Sequence, residues 1–271
     1  MKAKIVGLLA ETPIHPGSGQ DTGFVDLPVA RESATDYPVI VGSSLKGALR
    51  DRARQENLDD IEKIFGKHDN AGQLLVGDAR LLLLPIRSLT RSYCWVTCPH
   101  LLERLRRDLG RAGSSDQKVS NPSVQQGSFL GLGEKDKELY LEERQFTRSG
   151  EIPQDIFTHL KALIMHRDTS ERLEERLVIL HDDDFVWFAR FGLTVQARNV
   201  LDEEKKTSKN LWYEETVPPD SLFYSLWAER ATGTLNSVVA GFEKSPYLQV
   251  GGNETVGQGW FAVKFLDGGA A

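Results

Sequence analysis

The segment Gly42-Ser-Ser-Leu-Lys-Gly-Ala-Leu-Arg50 combines residue types and spacing that point to anion binding. Lys46, Arg50 and Arg54 recur every four residues, so a helix would carry them on one face. Lys46 would lie in the first turn, where the helix dipole disfavours a cation and attracts an anion. This arrangement favours a phosphate docked at the start of the helix. The alternative is a solvated charged face without a ligand.

Two residues of the preceding loop are candidates for catalysis or binding. Asp26 lies in Val25-Asp26-Leu27-Pro28 and could be a general base, a metal ligand or a turn residue bonded to the backbone. His15 begins His15-Pro-Gly-Ser-Gly and could contact a ligand or serve as a structural donor. The neighbouring glycines let the backbone approach a ligand or adopt a left-handed conformation, and their type does not decide between these roles.

A third candidate region is the glycine-rich stretch near the C-terminus. Gly251, Gly252, Gly257 and Gly259 lie between two predicted strands. A dinucleotide-binding fingerprint would be followed by a helix, so that interpretation is excluded. Two interpretations remain, a tight loop that packs against a ligand or another loop, and a plain hairpin connection.

Composition restricts these possibilities. The formal net charge is −6, so a nucleic-acid partner would have to be bound by local basic patches on an acidic body. Cys94 and Cys98 are the two cysteines, which argues against a disulfide framework. Together with His100 they suggest zinc, but four ligands at a recognisable spacing are missing, so buried thiols are favoured. Apolar runs are shorter than a membrane span requires, and a cytoplasmic protein without a membrane partner is expected.

The elements that must position these residues alternate between strands and helices, which predicts an α+β domain with insertions. The region 11–38 is predicted to be a long loop, and the helix from Ser43 is predicted to have a serine N-cap. Two strand-like stretches joined by a charged tip, 201–210, predict either a projecting hairpin or a solvated loop. Strands are predicted over 4–10, 74–86, 93–97, 185–200, 211–227, 247–250 and 260–265, and helices over 43–56, 100–109, 154–165, 169–177 and 235–242.

The order of these motifs along the chain resembles the RAMP superfamily, and most of all the repeated backbone subunit of type III-B, or Cmr, CRISPR effector complexes. Val96-Thr-Cys-Pro99 before Leu102-Glu-Arg-Leu105 and Leu211-Trp-Tyr-Glu-Glu215 before Pro218-Pro219 are also similar to that family. Val41 departs from the proline that often precedes the serine–lysine motif. The resemblance covers nearly the whole chain.

The resemblance implies a ferredoxin-like, RRM-like core with insertions, within one domain over 1–271. It implies an insertion at about 111–180 and a protruding β-hairpin, or thumb, at about 190–215. Copies of the subunit would stack along a guide RNA beside other subunits of the complex, and the thumb would displace nucleotides of the guide–target duplex at regular intervals.

The resemblance also implies the functional roles. Asp26 would be the catalytic group for cleavage of target RNA. Aspartate is a weak base at neutral pH, which favours help from a divalent metal ion, Mg²⁺ or Mn²⁺, held by Asp26. Guide RNA would be bound by His15, Lys46, Arg50, the backbone N–H groups of Ser43 and Ser44, and Gly251, Gly252, Gly257 and Gly259. The alternatives are a non-catalytic scaffold and an enzyme that processes the guide precursor with His15 as base.

Overall fold

The computed structural model describes residues 2–19, 24–113, 119–133, 136–202, 204–205 and 207–266. The strands are β1 Ala3–Ala10, β2 Val39–Ile40, β3 Gly66–Lys67, β4 Asn70–Ala71, β5 Leu74–Val76, β6 Ala79–Ile86, β7 Cys94–Thr97, β8 Ser128–Gly131, β9 Glu138–Leu141, β10 Arg144–Gly150, β11 Leu177–Leu180, β12 Thr194–Leu201, β13 Ser208–Thr216, β14 Leu222–Glu229, β15 Tyr247–Gln249 and β16 Trp260–Phe265. The helices are α1 Gly42–Gln55, α2 Ile61–Phe65, α3 Pro99–Arg111, α4 Gln154–Ala162, α5 Arg167–Glu171, α6 Leu173–Arg176, α7 Asp182–Phe191 and α8 Thr234–Ala240, with a 3-10 turn at Glu254–Val256. Helices α1, α3, α6 and α8 contact one large β-sheet.

The large sheet has the strand order β15-β16-β1-β14-β6-β7-β11-β8-β10-β9, with β2 and β5 attached at β6 and β14. β1 pairs antiparallel with both β14 and β16. Six of its eight residues are buried, from Ile5 to Ala10, and all of them are apolar or glycine. Gly7 is required there, because a Cβ would lie 2.0 Å from the carbonyl oxygen of Leu163. The α+β prediction is therefore confirmed.

Helix α1 follows β2 directly and packs on this sheet. Leu45, Leu49 and Ala53 are buried at intervals of four residues, which gives the helix one apolar stripe. Lys46 and Arg50 follow this stripe by one residue each, so they lie on its flank and are half-buried. The predicted serine N-cap is wrong, since the capping residue is Val41, which makes no side-chain cap. The carboxylate of Asp78 accepts a hydrogen bond from the N–H of Gly42 at 2.7 Å instead.

The prediction of one strand over 185–200 is wrong in its first half, because Phe185 to Phe191 belong to α7. Asp182, Asp183 and Asp184 occupy the first turn of this helix, where the dipole stabilises acidic side chains. The aromatic residues that suggested a strand instead pack into the core from a helix. Local β-propensity is thus overridden by capping and burial.

Other predicted elements are interrupted. The region 74–86 forms two strands separated by Gly77 and Asp78, and 211–227 contains parts of β13 and β14 separated by a segment with Pro218 and Pro219. The predicted helix over 169–177 becomes α5 and α6, and Leu177 already begins β11. In the loop 11–38, whose residues 20–23 lie outside the described part, the described residues form isolated bridges only.

β12 and β13 form a separate two-stranded antiparallel hairpin that connects α7 to β14. Its base is buried at Glu214, Glu215 and Thr216, whereas most residues toward its tip are exposed. Glu203 and Lys206 of the predicted charged tip lie outside the described residues. Strands β8 to β11 of the predicted insertion extend the large sheet next to β7. No helix in the described ranges is long and apolar enough to cross a membrane.

Candidate functional site

The candidate residues fall into two groups. Asp26, His15, Gly251 and Gly252 gather around the base of the hairpin. The others are on α1, where Ser43 and Ser44 are exposed and Lys46 and Arg50 are half-buried. None of the hydrogen bonds or ion pairs of the described residues joins the two groups. We call the first group, formed by 14–17, 26–29, 213–217 and 251–253, the loop–hairpin junction.

Asp26 is exposed, and its carboxylate is oriented by the hairpin backbone. The N–H of Tyr213 donates to Asp26 Oδ2 at 2.7 Å. The next residue, Leu27, pairs with Glu214 as a short parallel bridge, in which Leu27 N–H donates to Tyr213 O at 3.1 Å and Glu215 N–H donates to Leu27 O at 3.0 Å. The loop therefore behaves as a third strand on the hairpin, which fixes the backbone on either side of an exposed carboxylate.

Two buried acids, Glu214 and Glu215, stabilise the junction through hydrogen bonds and ion pairs. Glu215 Oε2 accepts from Val29 N–H at 3.0 Å, and its Oε1 accepts from Arg31 at 2.6 Å. The neighbouring Glu214 accepts from the amide of Asn253 and lies 3.6 Å from Arg198. Each carboxylate is compensated by a cation and by a hydrogen-bond donor, as buried charges require. Both acids belong to the segment Leu211–Glu215 that resembles the RAMP family, and no role was predicted for them from the sequence.

His15 is 8% exposed, and its side chain and backbone contact two distant segments of the chain. Nδ1 lies 2.8 Å from Glu215 O, within hydrogen-bonding distance. Gly252 N–H donates to His15 O at 3.1 Å, and a Cβ on Gly251 would lie 2.7 Å from the same oxygen. Gly251 and Gly252 are thus close to His15, and their predicted contact with RNA stays a prediction, as does that of His15.

Gly257 and Gly259 continue the loop between β15 and β16, which pair antiparallel. Both have positive φ, and a Cβ on Gly259 would lie 2.5 Å from Val250 O. Gly257 faces open space. The hairpin-connection interpretation accounts for Gly259, and Gly257 is left available to a partner.

The α1 group is held differently. Lys46 is half-buried and its Nζ donates to Leu74 O at 3.0 Å, which leaves its charge without a carboxylate partner among the described residues. Burial lowers the pKa of Lys46, and the positive charges of Arg230 and Arg50 lower it further. Arg50 Nε is buried without a hydrogen-bond partner in the described structure. Arg54, the third cation of the predicted face, pairs with Asp51 at 3.1 Å.

The start of α1 can also accept an anion. The N–H of Gly42 donates to the carboxylate of Asp78, but the N–H groups of Ser43 and Ser44 have no partner among the described residues. Both serines are exposed, and Ser43 lines a cleft together with Lys46 and with Arg80 and Arg111, both of which pair with Asp108. Free N–H groups at a helix start beside a lysine are the usual form of a phosphate site.

The metal prediction has limited support in the side chains. Among the described residues no group of three or more His, Cys, Asp or Glu side chains could hold a metal ion. The exposed carboxylate of Asp26 is compatible with a cation whose other ligands are RNA phosphates and water, the usual environment of Mg²⁺. Cys94 and Cys98 are buried free thiols, as favoured from the sequence, and burial raises the pKa of Cys94 to about 11.

Comparison with known proteins identifies the family of the chain. The RAMP superfamily model matches residues 8–262. The chain belongs to the RAMP superfamily. Among the relatives of this RAMP protein is the CRISPR system Cmr endoribonuclease Cmr4 of Pyrococcus furiosus, which is 37% identical over 97% of this chain and 95% of the relative.

Solved structures show the same RAMP fold. The crystal structure of oligomeric Cmr4 from Pyrococcus furiosus superposes with a TM-score of 0.80, at 33% identity and 98% coverage of both chains. A chain of the type III-B Cmr-beta complex bound to cognate target RNA has a TM-score of 0.78 at 23% identity, with 98% coverage of both chains. This second similarity concerns the fold alone.

Proposed function

We propose that this RAMP protein is the backbone subunit of a type III-B CRISPR effector, which binds guide RNA and cleaves the complementary target RNA. The observation that carries the proposal is that one chain presents both an exposed, backbone-oriented carboxylate at Asp26 and, on α1, cations without an acidic partner in the described structure. The relative from Pyrococcus furiosus, named a Cmr endoribonuclease, supports it across nearly the whole chain. A cytoplasmic location follows from such a role.

The strand arrangement supports a ferredoxin-like core. The order β16-β1-β14-β6 is antiparallel throughout, with α1 between β1 and β6 in sequence and α8 between β14 and β16. This order corresponds to the βαββαβ pattern of the RRM-like fold. The β12–β13 hairpin stands outside this sheet and is the proposed thumb. Its exposed apolar residues, Val195, Val200, Leu201, Leu211 and Tyr213, suit contact with bases or with the next copy.

The proposed reaction uses the 2′-hydroxyl of the target RNA. Its oxygen forms a bond to the adjacent phosphorus, the bond from phosphorus to the next 5′-oxygen breaks, and that oxygen takes a proton from water. Asp26 accepts the 2′-hydroxyl proton and later returns it to the hydroxide formed from that water, and the N–H of Tyr213 keeps its carboxylate in position. A divalent ion, when bound at Asp26 and the RNA, would stabilise negative charge on the phosphate.

The guide phosphates would be bound at a distance from the reacting bond, by Lys46, Arg50 and the N–H groups of Ser43 and Ser44. Their contacts go to the sugar–phosphate backbone, so they fix the register without reading sequence. The free groups at α1 support this role, because an acidic chain of net charge −6 has ample carboxylates that could have paired with them. Other copies of the chain and other Cmr subunits would complete the assembly.

The decisive experiment is Asp26→Asn in the reconstituted complex, with guide-complementary RNA mapped on a sequencing gel. We expect evenly spaced cuts from the wild type and none from the variant, while assembly and RNA binding persist. Asp59→Asn, at an exposed acid without an ion pair in the described structure, is the matched control and should cut normally. Normal cutting by Asp26→Asn would refute the catalytic assignment, and absence of cutting in the wild type would leave a scaffold.

Chelation separates metal-assisted cleavage from the reaction of a guide-processing enzyme that uses His15 as base. We expect EDTA to stop cutting and added Mg²⁺ or Mn²⁺ to restore it. The low exposure of His15 and its contact with Glu215 O argue against direct attack from its imidazole. Cleavage that survives EDTA would remove the metal from the mechanism.

A further inference from the structure

A groove lined by cations continues from α1 toward the short β3–β4 hairpin. Its walls carry Lys46 and Arg50 on one side, Lys67 and His68 on the other, and Arg230 after the end of β14. Its open volume is about 400 Å³. We call these five residues the basic groove.

The groove contains no balancing acid. None of the described residues that line it carries a carboxylate, although the protein has 39 acidic and 33 basic residues. Arg230 is exposed and its guanidinium has no partner among the described residues, while its N–H donates to Gln73 O at 2.8 Å. Lys67 reaches Glu62 at 3.4 Å, but both side chains are more than half exposed, so this pair is weak.

The cations are close enough to disturb one another. The pKa of Lys46 is lowered by burial first and then by the charges of Arg230 and Arg50. Arg50 Nε is also buried without a partner in the described structure. Like charges brought together in a fold without compensation favour an anionic ligand, because the ligand would relieve their repulsion.

Two glycines shape the β3–β4 hairpin at the edge of the groove. Gly66 has φ of 91° and a Cβ there would lie 2.7 Å from Gly72 N. A Cβ on Gly72 would in turn lie 2.4 Å from the carbonyl carbon of Phe65. The glycines therefore let the β3–β4 hairpin fold back tightly, and Lys67 and His68 of this hairpin line the groove together with the α1 cations.

Lys46 also lines the neighbouring cleft at the start of α1, together with Ser43. The two clefts therefore share one lysine, and a strand whose phosphate rests on Ser43 and Ser44 would continue past Lys46. We propose that the basic groove is a second phosphate subsite for the same single-stranded RNA, with Arg230 as its principal new ligand. This inference rests on the proposed function and extends it to residues after β14 and in the β3–β4 hairpin.

The test uses the full-length chain and a fluorescein-labelled single-stranded RNA, with affinity measured by anisotropy at several salt concentrations. Arg230→Gln should weaken binding several-fold for unrelated RNA sequences and lower the slope of log K against log salt by about 0.7. Lys67→Gln should act in the same direction. Arg172→Gln, which removes an exposed arginine outside the groove, is the matched control and should change neither quantity.

The outcomes separate this inference from the function on which it rests. If Lys46→Gln weakens RNA binding while Arg230→Gln and Lys67→Gln bind like the wild type, the groove is not a subsite and the proposed function stands. Equal losses in Arg230→Gln and Arg172→Gln would also overturn the inference, since only overall charge would matter. A wild-type chain without RNA affinity would refute both. Circular dichroism and melting temperature confirm that each variant is folded.

Discussion

The loop–hairpin junction and the first turn of α1 present charged groups in opposite ways. At the junction, Glu214 and Glu215 are buried and each is matched by donors from distant segments. On α1, Lys46 and Arg50 have no carboxylate partner among the described residues. The fold therefore compensates the two buried acids beside the proposed cleavage loop. It leaves Lys46 and Arg50, which would bind RNA, without an acidic partner in the described structure.

The two regions also differ in where their stability comes from. The junction joins residues separated by about two hundred positions, so its geometry depends on the complete fold. The α1 surface depends on one local helix and its apolar stripe. Substitutions at the junction should therefore reduce stability and cleavage together, whereas substitutions on α1 should change RNA affinity with little loss of stability.

The largest expected effect is that of Glu215→Ala. It removes the partner of Arg31 and of Val29 N–H, and leaving a buried charge uncompensated costs about 3 kcal/mol of unfolding free energy. Urea denaturation measures the loss, and target cleavage should fall with it because Asp26 loses its support. Glu204→Ala, at an exposed acid near the hairpin tip, should behave like the wild type. Unchanged stability in Glu215→Ala would show that this buried acid does not stabilise the loop–hairpin junction.

Asn253→Ala should have the next largest effect. Its amide donates to Glu214 and, at 2.9 Å, to Gln258 Oε1, so its removal leaves a buried carboxylate short of a donor, at a cost of about 1–2 kcal/mol. Asn253 has φ of 63°, so Asn253→Gly is the variant that keeps the backbone conformation and loses the amide. Melting curves of both variants separate backbone strain from the hydrogen bond. Full stability in Asn253→Gly would assign the whole loss to strain.

Gly47→Ala should change stability and RNA affinity in opposite directions. Gly47 is exposed within the helix and a Cβ there would meet no atom within 4 Å, so alanine should stabilise the chain by about 0.5–1 kcal/mol. RNA affinity should nevertheless fall, because the methyl group would occupy the surface proposed for the guide backbone. Gly110→Ala in α3, also without atoms near a Cβ, should stabilise without affecting RNA. Unchanged RNA affinity in Gly47→Ala would contradict that position for the guide.

The smallest expected effect concerns pH. The lowered pKa of Lys46 means that the folded chain releases this proton before the unfolded chain does. Between the two pKa values the unfolded chain holds more protons, so this group makes stability rise with pH. RNA affinity should fall a few-fold over the same range, since the contact needs the charged form. Lys46→Arg keeps its charge there and should bind RNA with a flatter pH profile by anisotropy; parallel profiles would exclude Lys46 as the titrating contact.

Local pattern was sufficient to predict several parts of the molecule. The helix predicted over 43–56 agrees with α1 at Gly42–Gln55, and the four-residue spacing of Lys46 and Arg50 places both on one side of it without any tertiary information. The strand at Trp260–Phe265 was predicted with its correct bounds. The prediction of a strand starting at Phe185 was wrong. In a short window, aromatic residues that a helix buries in the core have the same pattern as residues with high β-propensity.

The order of motifs, the cationic row of α1 and the candidacy of Asp26 follow from residue type and near-neighbour spacing. The orientation of Asp26 by Tyr213, the contact of His15 with Gly251 and Gly252, and the position of Arg230 beside the cations of α1 appear only in the folded chain. Such contacts link residues far apart in the chain. Their pairing is chosen by sheet order and by the burial of the whole core, which no local window contains.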